Sequence, residues 1–233
     1  MICFCIADFF GTQIYPNHPP IFVKISGMTI AVFASDKQWK EVQALWPNLH
    51  FIRQLSAEAA DQNADAIFVL YQANLFRYSG TTVPVFINAV TDTLKVLEAP
   101  ANIIRFNGWE VFFQQPLWEL AGIISPEAAD ILNALKKKYV VVPDVPGFIS
   151  ARTIAMIINE AYYALEEQVS TKAEIDTALK LGANYPYGPF EWAAIIGPAP
   201  IAALLLELAK NDKRYTPSPL LLNEAKHAPD NKY

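Results

Sequence analysis

Ala66-Ile67-Phe68-Val69-Leu70 is a run of five apolar residues without a break. A strand with one wet face would alternate. This run therefore reads as a strand buried on both faces, in the middle of a parallel sheet. Working outward from it, Thr29–Phe33 and 49–53 read as earlier strands, with a helix over 37–45 between them. Further on, 83–87, Ile103–Phe106 and 139–142 read as strands, and 120–124 as one more. Ser125 ahead of Pro126 marks the start of a helix over 125–138 that closes on lysines. Strands alternating with helices predict a doubly wound α/β sheet.

The pattern changes at Pro143 and Pro146-Gly147. Beyond them the sequence reads only as helices: 149–168, 171–181 with Gly182 as the left-handed residue past its end, 190–196, and 201–210. The expected organisation is an α/β domain over 28–143 and an all-helical domain over 144–233. Residues 1–27 carry Cys3, Cys5, Asp8, Pro16, Pro19 and Pro20 with no period, and read as a poorly ordered N-terminal extension.

Of the 233 residues, 53% are hydrophobic and 18% charged, which places the chain among globular proteins. The net charge is −5 and the basic residues are scattered, so nucleic acid is not an expected partner. No apolar run approaches the roughly 18 residues of a membrane helix. The two cysteines lie at positions 3 and 5, which leaves no disulfide framework and no thiolate metal site. A cytoplasmic location is the expectation, without a metal and without a membrane.

The helical half carries a dense set of motifs. Asp144-Val145-Pro146-Gly147-Phe148-Ile149 followed by Arg152 resembles the D-x-P-G-F-[IV]-x-N-R junction of the 3-hydroxyacyl-CoA dehydrogenases. Asn159-Glu160-Ala161, Glu174-Ile175-Asp176 with Ala178 through Gly182, and Pro186-Tyr187-Gly188-Pro189-Phe190-Glu191 resemble further motifs of that family. So does Arg214-Tyr215-Thr216-Pro217-Ser218-Pro219-Leu220-Leu221. They follow the family's order over about ninety residues. The resemblance implies a shortened Rossmann-like domain followed by a helical domain, with NAD as cofactor if the family function is retained.

The residues for that chemistry do not match. A dinucleotide diphosphate sits on a helix N-terminus reached through G-x-G-x-x-G. Here the three glycine positions hold Ala34, Asp36 and Trp39, and Ser35 with Gln38 has the spacing of a capping box. Asp36 adds negative charge where phosphate would lie. Arg53, Gln54 and Leu55 stand where an acid for the ribose is expected. The family's general base is a His held by a Glu. This chain has only His18, His50 and His227, and Glu110 or Val111 falls at the His position. The partner Glu falls on Glu119 or, without a deletion, on Gly122. The family's substrate-side Ser falls near Thr91, and its Asn on Ala151.

No nicotinamide cofactor is therefore expected, and loss of dehydrogenase activity is the first reading. An active 3-hydroxyacyl-CoA oxidoreductase of fatty-acid metabolism with an atypical cofactor site is the second. The resemblance also implies a homodimer through the helical domain and an acyl-CoA-like small molecule as ligand. Residues 149–165 are apolar around most of the helix circumference, so a second copy is expected to cover one side, and Ile158→Asp to split the dimer.

Overall fold

The computed structural model describes residues 27–54, 63–70, 78 and 80–228. The expected extension at 1–27 falls almost wholly outside them. The chain divides into two compact units. The first ends at Val145; the second runs from Pro146 and also takes in Trp109–Val111.

The first unit is a seven-stranded sheet in the order β2-β1-β3-β4-β5-β6-β7. Its strands are β1 (Thr29–Phe33), β2 (His50–Gln54), β3 (Ala66–Val69), β4 (Val85–Asn88), β5 (Ile103–Phe106), β6 (Leu117–Ala121) and β7 (Lys138–Val141). All neighbours are parallel except β5 with β6, where Arg105 faces Ala121 and Phe106 faces Leu120. The unbroken run of β3 is buried at every position, as a central strand requires.

Helices α1 (Asp36–Leu45) and α3 (Pro126–Ala134) supply Val42, Ala128, Ile131 and Leu132 to one sheet face. There they meet Val32, Phe68, Phe106 and Trp118, with Phe68 stacked on Phe86 and Phe106 on Trp118 at 4.6 and 4.9 Å between ring centres. The opposite face buries Ile67, Val69, Val85, Ile87 and Ile103. Among the described residues its cover comes from Ala64, Tyr78, Val83 and the coil around Ala89, Leu94, Leu97 and Ala99 rather than from a helix.

Most boundaries shift by one to three residues from the sequence reading, and the differences with a physical reason lie between Glu110 and Lys137. The helix from Pro126 stops at Ala134, because Lys136 takes a left-handed φ of 56° and Lys137 turns inward. β6 lies three residues earlier than expected. Gly122 ends it at a φ of 129°, with the Ile103 carbonyl too close for a side chain. A short helix not read from sequence, α2 (Glu110–Phe113), precedes it.

Lys137 is a buried lysine, only 6% exposed. Its ammonium donates to the carbonyls of Phe113 and Gln115 at 2.9 and 2.7 Å and lies against the faces of Trp118 and Trp46. Burial pulls its pKa down to about 8, opposed by Glu41. Below pH 8 the lysine is charged in both the folded and unfolded chain, so the cost of burying the charge is fully present. Between about pH 8 and the unfolded value near 10.5, the unfolded chain holds the extra proton and stability rises with pH. Relative to a Lys137→Met variant, chemical denaturation should show a gain on the order of 2–3 kcal/mol across this window. Parallel pH profiles for the two proteins would contradict the assignment.

The second unit contains α4 (Ser150–Glu166), α5 (Lys172–Gly182), α6 (Pro189–Ile196), α7 (Pro198–Ala209) and α8 (Pro219–His227). Helices α6, α7 and α8 all pack on α4. Ile158 of α4 is 0% exposed beneath them, so it belongs to the core of a single chain and does not report on a second copy. Gly182 lies inside α5; the left-handed residue past its end is Asn184, at φ 55°. Asn tolerates that conformation through its short polar side chain. Among the described residues no single helix is long and apolar enough to cross a membrane. The apolar pair α6 and α7, bent by 100° at Gly197, supplies buried Trp192, Ile196, Leu204 and Leu205 to this unit.

Candidate functional site

In an open parallel sheet, ligands gather at the C-terminal ends of the strands. At the end of β1, part of the hydrogen-bonding capacity is taken by the protein's own groups. The Ser35 hydroxyl accepts from the Gln38 amide at 3.4 Å, and the Gln38 side chain accepts from the Ser35 amide at 3.0 Å. This is the capping box expected from the spacing. The Gln38 carboxamide also donates to the Leu70 carbonyl at 2.9 Å, tying the start of α1 to the end of β3.

Asp36 does not stand as bare negative charge. Arg53, at the end of β2, pairs with it at 2.5 Å, donates to the Ala34 carbonyl at 3.4 Å and lies 5.9 Å from the Trp39 ring. The guanidinium holds the Asp36 carboxyl below its ordinary value. Trp39 itself is half buried against the core on the α1 side. Ala34, Asp36 and Trp39 thus gather around Arg53, whose Nε is buried without a hydrogen-bond partner, and the electrostatic obstacle to phosphate is an ion pair rather than an isolated carboxylate.

The remaining candidates are spread out. Thr91 is half buried in the loop after β4, and Glu119 is buried on β6, where its carboxylate accepts from Asn107 at 3.4 Å. Both belong to the first unit; Glu110 opens α2 and belongs with the second. Of Glu119 and Gly122, only Glu119 offers a carboxylate. Among the described residues no histidine stands at the C-terminal edge of the sheet. His50 begins β2 at the opposite edge, beside Thr29, and His227 ends α8 against the Asn223 carbonyl. No group of His, Cys, Asp and Glu suited to a metal occurs among the described residues.

One constellation was not read from the sequence. Arg105, in the interior of β5, is 0% exposed and pairs with Asp144. It also donates to the carbonyls of Ala89, Val90 and Val145, at 2.9, 3.3 and 3.4 Å. Asp144 in turn accepts from the Leu94 and Lys95 amides at 3.1 and 3.3 Å. Burial pulls the guanidinium below its ordinary pKa and Asp144 opposes that shift. A buried Arg in a strand gives no periodic signal; its partner is the Asp that opens the junction motif.

In the second unit the motifs resolve into caps and corners. Asp176 of α5 accepts from the Phe190 amide at 2.8 Å and so caps α6, while Glu191 accepts from the Gly188 amide and pairs with Lys180. Asn159 donates to the Thr216 carbonyl and accepts from the Ser218 amide, at 2.9 and 2.8 Å. Tyr162 donates to Glu224 of α8 at 2.6 Å; burial raises its pKa well above the ordinary value, and the Glu224 contact adds to the shift. Gly147 takes a φ of 83° with Leu204 and Arg152 packed against it.

Residues 147–229 match the family model of the 3-hydroxyacyl-CoA dehydrogenase C-terminal domain. Over this stretch the chain is similar to the 3-hydroxyacyl-CoA dehydrogenases. It is 40% identical over 112 residues to a 3-hydroxyadipyl-CoA dehydrogenase of Escherichia coli, covering 45% of this chain and 24% of that one. It is 36% identical over 129 residues to a 3-hydroxybutyryl-CoA dehydrogenase of Bradyrhizobium diazoefficiens, covering 51% and 44%. The chain thus spans less than half the length of these two relatives. In fold it is similar to FadB2 of M. tuberculosis, with a TM-score of 0.67 at 13% identity over 86% of this chain and 93% of that one.

Proposed function

We propose that this chain is a non-catalytic homologue of the 3-hydroxyacyl-CoA dehydrogenases that binds an acyl-CoA-like thioester without a nicotinamide cofactor and works as a homodimer. The observation that carries the reading is the corner at the start of α1. A helix N-terminus receives diphosphate through free N–H groups. Here Ser35 and Gln38 take part of that capacity, and Arg53 is engaged with Asp36 and the Ala34 carbonyl. The histidine positions support the same reading, since a base for the 3-hydroxyl must titrate near working pH.

The test is turnover. With 3-hydroxybutyryl-CoA and NAD, formation of NADH should stay at background, and installing His at 110 or 111 should not rescue it while the cofactor corner is closed. NADH formation by the parent protein that disappears in Glu110→Ala would overturn the reading. It would favour the second one, an active oxidoreductase with an atypical cofactor site, to which the names of the relatives point.

The homodimer reading rests on the surface of the helical unit. Leu181 is 82% exposed, and Val169, Leu206 and Tyr187 are exposed as well. Apolar groups of this size gain on the order of 1.5–3 kcal/mol each when fully buried. Leu181→Asp and Leu206→Asp are surface changes that leave the Ile158 core untouched. At micromolar concentration, light scattering should give a dimer for the parent and a monomer for at least one variant. A folded, monomeric parent would rule the dimer out.

A further inference from the structure

Asn107 and Glu119 face each other where β5 passes into its loop beside β6. The Asn107 backbone amide donates to the Glu119 carbonyl at 3.3 Å, and its side-chain amide donates to the Glu119 carboxylate at 3.4 Å. Phe106 and Trp118, one residue before each, pack into the core on the side of α1 and α3. Side chains alternate along a strand, so Asn107 and Glu119 share the opposite face. Both are buried, at 3% and 9% exposure. Among the described residues the Asn107 side-chain carbonyl has no hydrogen-bond donor. Turning the amide over would not help, because its oxygen would then meet the carboxylate. The cation two residues back on the same face, Arg105, is engaged with Asp144.

A buried acceptor without a donor is unfavourable, and folded chains keep few of them. This one follows the C-terminal end of β5, the edge at which open α/β sheets take ligands. A donor on a ligand would complete it. The carboxylate beside the carbonyl decides what kind of donor. A hydroxyl brings one proton and no charge. A primary ammonium brings three protons, serves carbonyl and carboxylate together, and sets positive charge beside a buried negative one. Exposure this low admits only the slim end of a thioester, its acyl chain. We infer that Asn107 and Glu119 form a site for an ammonium group on the acyl chain of the ligand, so that the thioester bound is an aminoacyl one. The inference rests on the reading of the chain as a thioester-binding protein and adds the group that distinguishes its ligand.

Calorimetry on the full chain with butyryl-CoA, 3-hydroxybutyryl-CoA and 3-aminobutyryl-CoA separates the possibilities. The parent should bind the amine about tenfold or more tighter than butyryl-CoA, the usual size of a hydrogen bond to a charged group. It should also bind the amine more tightly than the hydroxyl probe. Glu119→Gln keeps the shape and removes the charge, and should bring the ratio of amine to butyryl-CoA affinity close to one. If Glu119→Gln does not fold, the pH profile of the parent carries the same test. The preference should hold while the ligand's amine is protonated and vanish as pH rises through that amine's own pKa. Butyryl-CoA meets the same protein at each pH, so the ratio isolates the amine. Equal binding of the three probes by the parent overturns the inference and leaves the thioester reading standing. So does tighter binding of the hydroxyl probe than of the amine, or an amine preference that survives Glu119→Gln or deprotonation of the ligand. A parent that binds none of the probes overturns the thioester reading, and this inference falls with it.

Discussion

Asp144→Ala should lower the unfolding free energy by about 2–4 kcal/mol, measured by denaturant titration followed through tryptophan fluorescence. This lies somewhat below the range of a fully buried pair because the Asp144 side chain is 29% exposed. The change removes the counter-charge of a guanidinium that is 0% exposed. Arg105 keeps three carbonyl partners at Nε and Nη2, but Nη1 loses the Asp144 carboxylate and the charge is no longer neutralised. The amides of Leu94 and Lys95 lose their acceptor in the same step. Adding Arg105→Met should recover part of the loss, because an apolar side chain needs no counter-charge. A cost under about 1 kcal/mol for Asp144→Ala would mean that the pair behaves like a solvated surface bridge.

Gly188→Ala should cost about 3 kcal/mol, and the reason is space. A Cβ at 188 would lie 2.3 Å from Cβ, Cγ and Oδ1 of Asp176. The collision includes the Asp176 Cβ, which is fixed to its backbone, so rotating the carboxylate away does not relieve it. Overpacking of this kind costs about 1–3 kcal/mol. Displacing Asp176 also removes the cap on the Phe190 amide, worth about 1 kcal/mol more. Gly182→Ala is the matched control. It lies within α5 with nothing inside 4 Å of a new Cβ, so it should stabilise by about 0.5–1 kcal/mol. Equal effects from the two changes would show that Gly188 is tolerated for flexibility rather than required for room.

What the sequence disclosed followed from periodicity and local spacing. The run at 66–70 placed the central strand because burial on both faces leaves an unbroken apolar signature. Ser35 and Gln38 disclosed their capping box because both partners lie within one helical turn. Features built from distant residues were not legible in the same way. Arg53 and Asp36 are 17 positions apart and meet only because β1 and β2 pair in parallel. Arg105 and Asp144 are 39 apart. Lys137 read as the charged end of a helix and is instead an internal strut whose ammonium holds the end of α2. Residues 149–165 looked too apolar for one chain to cover, yet the chain covers Ile158 itself. The helices packed on α4 include α8, whose sequence reads as a motif and not as a helix.

The same distinction governs the candidate site. The departures from glycine at Ala34, Asp36 and Trp39, and the place of Glu110 or Val111 at the histidine position, were plain in the sequence because they are read at fixed spacing. How the space is used instead required the fold: an ion pair over the Ala34 carbonyl, and a clamp under the loop that carries Thr91.

The central claim, that the nucleotide corner is closed, is tested most directly by calorimetric titration of the parent protein with NADH. The closed corner at Ser35, Gln38, Asp36 and Arg53 calls for no binding in the sub-millimolar range. A dissociation constant in the low micromolar range would contradict it and restore this chain to the active dehydrogenases.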